Sequence, residues 1–175
     1  FQYSGSQIQL FIDGSSIGTG STSTNAENTT FRIGKLWANS YDLQGYIRDL
    51  RVISGSPSGS SSVPTTSLTA ITNTELLICH LPYIADGSSN SHSFTQSGTP
   101  TIEPVSPYNV GEYSSSINGS SIHLDGSDYL TAAGTTIFDM ASSSATFCIE
   151  CWVYPTAFVS NSNVWRFHYI ISKGA

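Results

Sequence analysis

Apolar residues recur at every second position along most of this chain, which is the spacing of a β-strand with one buried face. Near the start, Ile8, Leu10 and Ile12 share one face of such a strand. The dipeptide Asp13-Gly14 follows at once, and this pair favours the positive backbone angles of a tight turn. These residues predict a β-hairpin.

The alternation slips in the segment from Tyr46 to Ile53. Ile47 and Leu50 are both apolar but lie three positions apart, so they cannot face the same side of a regular strand. Either both faces of this strand are covered, or a β-bulge lies at Arg48-Asp49.

The rest of the chain continues the strand pattern. Residues 74–80 form a near-continuous apolar run of strand length, as expected of a strand covered on both sides. Residues 147–154 alternate strictly, and only residues 137–141 could make a helical turn. The two faces of the alternating strand carry Phe147, Ile149, Cys151 and Val153 on one side and Cys148, Glu150, Trp152 and Tyr154 on the other. Many short strands separated by turn dipeptides predict an all-β fold, an antiparallel sandwich.

The composition narrows the range of partners. The chain is 38% hydrophobic but only 10% charged, well below the roughly one quarter usual for globular domains. Its net charge is −6 and it has no basic run, which argues against nucleic-acid binding. No apolar run approaches the roughly twenty residues of a membrane span, which argues against membrane insertion. A surface rich in hydroxyls and amides suits neutral polar partners such as sugars.

Several motifs, in their order, resemble the concanavalin-A-like, laminin-G-like jelly-roll family. Three segments resemble its second half, namely a strand ending in Asp-Gly at 10–14, an apolar-x-Ile-Gly strand at 31–34 and a Gly-x-Ile-x-Asp-apolar-Arg strand within 43–52. Three others resemble its first half, namely the first strand at 69–77, an Asp-Gly-x-x-Tyr-Leu element within 123–130 and a Phe-x-Ile-Glu-x-Trp-x-Tyr-Pro strand within 145–155. The residues within these motifs are most similar to those of tandem domains in tail-fibre and virion-surface proteins of aquatic bacteriophages.

The two halves arrive in reversed order around a segment rich in Ser, Gly and Pro. We predict that residues 1–53 are the C-terminal half of one unit, residues 54–67 a linker, and residues 68–175 the N-terminal half of the next unit. The sequence would then be a slice of a longer tandem array. The alternative is a single permuted domain in which residues 1–53 add strands to residues 68–175.

The residues give little support for catalysis. Glucanases of this architecture resemble one another in carrying acidic residues at alternate positions of one strand, whereas Glu150 stands alone on its strand. The four histidines are scattered, and no Gly-x-Ser-x-Gly elbow is present. We therefore predict that the chain is not an enzyme.

Exposed aromatic residues are the candidates for sugar binding, because their rings stack on the apolar face of a pyranose while nearby amides and hydroxyls bind its alcohols. The predicted set is Trp37, Asn39, Tyr41, Asp42 and Tyr46. Aromatic residues of alternating strands usually belong to the core instead, and we assign Phe147, Trp152, Phe167 and Tyr169 there. Trp37 fits a core position equally well.

The resemblance also implies calcium as a possible ligand, because laminin-G-like domains frequently hold this ion at a loop rim. The candidate ligands are Asp125 and Asp128, with Asp13, Asp42 and Asp86 as further hard oxygen donors. An Asp before Gly equally fits a turn without any ion.

The three cysteines do not form a recognisable metal motif. Cys148 and Cys151 would point to opposite faces of a strand, which argues against zinc. Cys79 and Cys151 are expected to behave as small buried apolar groups, and a bond between Cys79 and one of the others is left open.

The resemblance implies a structural and adhesive module of a phage fibre or virion surface. Its partners would be host cell-surface glycans and neighbouring repeat units, in a homo-oligomer or fibre located at the virion surface or outside the cell. The alternative is a carbohydrate-binding accessory domain of a secreted bacterial adhesin or polysaccharide hydrolase. A mechanical spacer without a ligand is a third interpretation.

Overall fold

The computed structural model describes residues 1–4, 7–21, 30–35, 42–55, 62–108, 120–132, 146–157 and 169–174. Within these ranges the chain is all-β, with antiparallel strand pairs and no helix, which confirms the all-β, antiparallel part of the predicted fold class. The helical turn predicted at 137–141 lies outside the described residues.

The strands are numbered in chain order. The first six are β1 (Gln2–Ser4), β2 (Gln7–Ile12), β3 (Ser15–Ser21), β4 (Thr30–Ile33), β5 (Gln44–Ser54) and β6 (Thr74–Ile78). The others are β7 (Thr95–Ser97), β8 (Thr101–Glu103), β9 (Ser121–Asp125), β10 (Tyr129–Ala132), β11 (Thr146–Pro155) and β12 (Ile171–Gly174).

The described strands lie in two sheets that share one core. The larger sheet has the order β3-β2-β1-β11-β5-β9-β8, with β6 also paired to β5, and the smaller has the order β12-β4-β10-β7. One buried cluster contains residues from both sheets, including Phe31 and Leu130 of the smaller sheet and Ile47, Leu124 and Phe147 of the larger. Two antiparallel layers around a single core are the arrangement of a β-sandwich.

Segments from both sides of the predicted linker take part in both sheets. β5 pairs with β6, β9 and β11, while β4 pairs with β10 and β12. Strands from residues 1–53 and from residues 68–175 therefore share both sheets, and the permuted single domain stays a prediction. The tandem array concerns the longer polypeptide and stays a prediction.

The hairpin predicted at the start of the chain is confirmed. Ile12 of β2 faces Ser15 of β3 across the turn. Asp13 and Gly14 have φ angles of 48° and 75°, and positive values at both central residues are what a two-residue hairpin turn requires.

A β-bulge in β5 explains the slip in its alternation. The register of β5 against β11 shifts between Glu150 and Trp152, and Asp49, within this step, has a φ of 51°. The extra residue restores the parity of the strand, so that Ile47 and Leu50 both belong to the core. Of the two alternatives that the sequence left open, the structure shows the bulge at Arg48-Asp49.

At the bulge β5 also changes its neighbour. Along the same edge of β5, residues 44–47 pair with β9 and residues 50–53 pair with β6. Arg48 and Asp49 lie between the two neighbours, and we call this position the fork. Their side chains are only 2% and 0% exposed, and buried charges of this kind require both a counter-charge and hydrogen-bond partners.

Two other segments of the chain supply those partners. Asp49 Oδ2 accepts hydrogen bonds from the Leu68 N–H at 3.1 Å and from the Tyr108 hydroxyl at 2.5 Å. The same oxygen lies 3.7 Å from Arg48 Nε, and Arg48 Nη2 donates to Ser67 Oγ at 2.6 Å. The fork therefore fastens the end of the predicted linker, and the loop that carries Tyr108, to the larger sheet.

We expect Asp49→Asn to lower the free energy of unfolding by about 3 kcal/mol, because it removes the carboxylate charge that lies beside the buried Arg48 guanidinium. Asp13→Asn is the matched control, since it removes the same charge from an exposed turn position that Asn also tolerates. The control should change stability by about 0.5 kcal/mol or less. Chemical denaturation followed by circular dichroism measures both, and equal losses would contradict the role given to the fork.

Candidate functional site

The side of β5 and β11 that faces away from the core carries aromatic and charged residues, and we call it the outer face. These residues alternate with core residues along both strands, as a pleated strand requires. The cross-strand pairs on the outer face are Tyr46 with Tyr154, Arg48 with Trp152, and Arg51 with Glu150.

Three rings cluster at one end of the outer face. The centroid of the Tyr46 ring lies 4.7 Å from that of the His123 imidazole and 6.1 Å from that of the Tyr154 ring. Tyr154 is 64% exposed, and the exposed Thr101 faces His123 across the pair of β8 and β9. We call Tyr46, Thr101, His123 and Tyr154 the aromatic site. It combines open ring faces with hydroxyl and imidazole groups that can form hydrogen bonds.

Gly45 sets the position of Tyr154 next to this cluster. A Cβ atom at Gly45, where φ is 151°, would lie 2.3 Å from the Tyr154 carbonyl oxygen. The absence of a side chain therefore allows the end of β11 to approach β5 closely. The Thr156 N–H donates to the Gln44 carbonyl at 3.0 Å, which holds β11 there one residue beyond its end.

Two polar residues extend the aromatic site along the same strands. Gln44 faces Asp125 across the pair of β5 and β9, two residues along from the pair of Tyr46 and His123. Residues two apart on a strand point to the same side, about 7 Å from one another. An amide and an exposed carboxylate thus lie beside the rings.

A second aromatic pair adjoins the fork. Trp152 Nε1 donates to the Tyr108 hydroxyl at 2.8 Å, and the two rings meet edge to face with centroids 5.9 Å apart. Burial, together with the hydrogen bond to the Asp49 carboxylate, raises the pKa of Tyr108 well above its ordinary value. The phenol therefore stays protonated and donates to Asp49. Trp152 is half-buried on the outer face in this network, so the expectation that it belongs to the core is wrong.

Of the predicted sugar-binding set, Trp37, Asn39 and Tyr41 lie outside the described residues. Tyr46 is part of the aromatic site. Asp42 does not belong to the cross-strand pairs of the outer face. Its Oδ2 accepts a hydrogen bond from the Lys35 ammonium at 3.0 Å, and its side chain is only 8% exposed. An almost buried ion pair of this kind is a structural contact.

Sequence reasoning missed Thr101, His123 and Tyr154 as site residues. The outward parity of Tyr154 in its alternating strand was the one available signal, because it left a large aromatic on the face opposite Phe147. Nothing in the sequence pairs these strands with Tyr46, which lies far away along the chain.

The carboxylates predicted for calcium accept hydrogen bonds from the backbone. Asp128, which is 2% exposed, accepts from the Thr99 N–H at 2.6 Å and from the Asp125 N–H at 3.2 Å. Asp125 accepts from the N–H and hydroxyl of Ser127, and these bonds lower the pKa of Asp125. In the ranges that the structure describes, no three His, Cys, Asp or Glu side chains are placed to hold a metal ion. The calcium site stays a prediction.

Asp86, a further calcium candidate, organises the loop after β6. Its carboxylate accepts hydrogen bonds from the backbone N–H groups of Leu77, Ser88 and His92. Partial burial alone would raise the pKa of Asp86, but these hydrogen bonds outweigh it and lower the pKa. Asp13, another candidate, occupies the hairpin turn.

All three cysteines are free thiols in this structure. Cys79 is buried in the core, and Cys151 packs against it. Burial raises the pKa of Cys79 well above its ordinary value and raises that of Cys151 to about 12, so both thiols are protonated at neutral pH. The two side chains behave as the predicted small apolar groups.

Comparisons of the chain with protein-family models, with curated proteins and with solved structures found no match. Over the part of the chain that the structure describes, no helix has the length and apolar character needed to cross a membrane. The aromatic site is therefore interpreted from its own geometry.

We expect Asp128→Ala to lower the free energy of unfolding by about 1.5 to 3 kcal/mol even in buffer with a calcium chelator, because two backbone N–H groups lose a charged acceptor. Asp125→Ala should cost less, since that side chain is exposed. Denaturation curves with chelator and with added calcium measure both variants. A loss that appears only when calcium is present would show that the ion, and not the turn, accounts for the effect of Asp128.

Proposed function

We propose that this protein is a non-enzymatic adhesive and structural module that binds glycans at the aromatic site. The observation that carries the proposal is the 64% exposure of Tyr154 beside two further rings, those of Tyr46 and His123, on a face turned away from the core. Large exposed aromatic groups that cluster on a rigid surface are typical of binding sites.

The chemistry of the site fits a pyranose ring. The exposed Tyr154 ring offers a flat surface for the C–H face of the sugar, while Thr101, His123 and the tyrosine hydroxyls can bind its alcohols. Because Tyr46 and Tyr154 are held on paired strands, little conformational freedom is lost on binding.

The charges around the site favour neutral over anionic glycans. Asp125 and Gln44 lie beside the rings, and a carboxylate and an amide are good partners for sugar hydroxyls. The same carboxylate repels sulfated or carboxylated sugars, and the chain as a whole carries a net charge of −6.

We propose a non-enzymatic role because the acid on β11, Glu150, is held in an ion pair. Glu150 accepts a hydrogen bond at its Oε1 from Arg51 Nε at 2.7 Å, and Arg51 Nη2 forms an ion pair with the same oxygen at 2.5 Å. Arg51 in turn donates to the Thr69 carbonyl at 2.7 Å. A carboxylate held in such an ion pair is suited to a structural role, and β11 carries no second acid of the kind that glycoside hydrolysis requires.

We further propose that the two sheets form a concanavalin-A-like, laminin-G-like jelly roll that is repeated along a phage fibre or virion-surface protein. The order of the sequence motifs supports this. Stacked units would present many weak sites to a host surface, and avidity would follow from their number. The location would be the virion surface or the extracellular space.

The second candidate is a carbohydrate-binding accessory domain of a secreted bacterial adhesin or polysaccharide hydrolase. The aromatic site supports it equally, since a single site is enough to tether a neighbouring catalytic domain. The parent polypeptide distinguishes the two, because repeats and coiled coils favour the fibre whereas a signal peptide and a domain with paired acids favour the hydrolase.

The test begins with a glycan array probed by a multivalent sample of the folded protein, followed by calorimetry with the best neutral oligosaccharide. We expect Tyr154→Ala to weaken binding about tenfold, because loss of one stacking surface removes about 1.4 kcal/mol. Tyr83→Ala is the matched control, since Tyr83 is 58% exposed and has no ring partner among the described residues. Failure of the folded sample to bind any glycan, or equal affinities of the Tyr154 variant and the wild type, would contradict the proposal.

A further inference from the structure

Among the described strands, β3 of the β2–β3 hairpin forms an open edge of the larger sheet. β3 is the terminal strand in the sheet order, and every one of its residues is exposed. Gly18 and Gly20 of β3 have no atom within 4 Å of the position that a Cβ would take. A long exposed edge strand presents a row of unpaired N–H and C=O groups to any extended chain that approaches it.

The other described edges of this sheet are protected. Beside β6, the Leu77 N–H donates to Asp86 Oδ1 at 3.0 Å, and the Leu77 carbonyl accepts from the Gly87 N–H at 2.7 Å. The loop after β6 therefore occupies its edge. β8, at the far end of the sheet, has 3 residues, whereas β3 has 7. A short edge strand and an edge covered by a loop are two of the ways in which proteins prevent sheets from joining edge to edge.

β3 lacks two of the features that commonly block an edge, charged residues and proline, although one extra residue forms a bulge in it where its register against β2 shifts between Leu10 and Phe11. Its sequence contains only Ser, Thr, Gly and one Ile, with neither a charged residue nor a proline. The whole hairpin from Gln7 to Ser21 carries a single charge, that of Asp13, although the chain has a net charge of −6. Two copies of this acidic chain can therefore meet here with little electrostatic repulsion.

One face of the hairpin is apolar and uncovered. Ile8 packs against the core, and Leu10 and Ile12 continue its face along β2. Leu10 and Ile12 are nevertheless 43% and 56% exposed, so the smaller sheet does not cover them, and Ile17 of β3 is 54% exposed. Side chains of this kind favour a contact that removes them from water.

We propose that β3 is a self-association edge, to which the β3 strand of a second copy adds in the antiparallel direction. A two-fold axis perpendicular to the sheet makes this contact self-complementary and places the apolar faces of both hairpins side by side. Main-chain hydrogen bonds supply the affinity, as in other cases of strand addition. A foreign peptide is a poorer fit, because this edge of small residues offers no charge and no pocket to select its side chains.

The consequence for the molecule is a continuous sheet with two aromatic sites. Both copies present their outer faces to the same side, so the paired molecules can contact one glycan-bearing surface together. The association does not require glycan binding, and its test is independent of that function.

The sharpest test is Thr19→Pro in the full chain. The pair of Ile12 and Ser15 closes the two-residue turn and is hydrogen-bonded. Counted along β2, which has no extra residue at the bulge, the pair of Gln9 and Thr19 is not hydrogen-bonded, so the Thr19 N–H points to the edge. Proline removes that donor while the hairpin keeps its own hydrogen bonds. Thr19→Val is the matched control because it keeps the N–H.

Sedimentation equilibrium from about 1 µM to about 1 mM covers the range in which such contacts dissociate. We expect wild type and Thr19→Val to form a dimer, and Thr19→Pro to raise its dissociation constant about tenfold or more. A wild type that is monomeric throughout would overturn the proposal, as would a dimer that Thr19→Pro leaves unchanged. Open-ended oligomers would contradict the two-fold pairing.

A second pair of variants covers the case in which proline unfolds the hairpin. Ile17→Lys places a charge on the exposed hairpin, and it should weaken the dimer as Thr19→Pro does. Val63→Lys adds the same charge at another exposed apolar position, 39% exposed and outside the sheets, and should leave the dimer intact. Equal dissociation constants for these two lysine variants would also overturn the proposal.

Discussion

The buried carboxylate of Asp49 is the contact on which the arrangement of the larger sheet depends. It lies where β5 passes from one neighbouring strand to another, and it accepts hydrogen bonds from Leu68 and Tyr108. A charge in this position is tolerated only while its donors and the adjacent Arg48 stay in place. The loops that carry Leu68 and Tyr108 are thereby fixed to the larger sheet. Tyr108 in turn accepts a hydrogen bond from Trp152, which extends the polar contacts to β11.

The same bulge organises both faces of β5. Because it restores the alternation, one strand can supply Ile47 and Leu50 to the core and still present Tyr46 and Arg51 to the outside. The proposed binding surface therefore lies directly over core residues of the same strand. Its rings lie on strands whose opposite faces are buried, which limits their motion and suits them to contact with a rigid ligand.

Much of the architecture could be predicted because it depends on local signals. The period of two residues, the Asp13-Gly14 turn and the parity slip at Arg48-Asp49 are each contained in a short stretch of sequence. The site could not be predicted in the same way, since cross-strand pairing brings Tyr46 together with His123 and Tyr154 from distant strands. The core assignment of Trp152 was wrong because alternation shows which face a residue occupies but does not show its hydrogen-bond partners, here the Tyr108 hydroxyl.

The position of β5 in the sheet has a consequence for how the chain assembles. Its contacts reach far along the sequence, and Arg51 and Glu150, which join β5 to β11, are 99 residues apart. Among the partners of β5, only β6 lies close to it in the sequence, so a growing chain can form the β5–β6 pair first. The opposite edge of β5 stays unpaired until β11 has been synthesised. Closing such long loops slows folding, and the nascent strand is meanwhile open to wrong partners in its crowded surroundings.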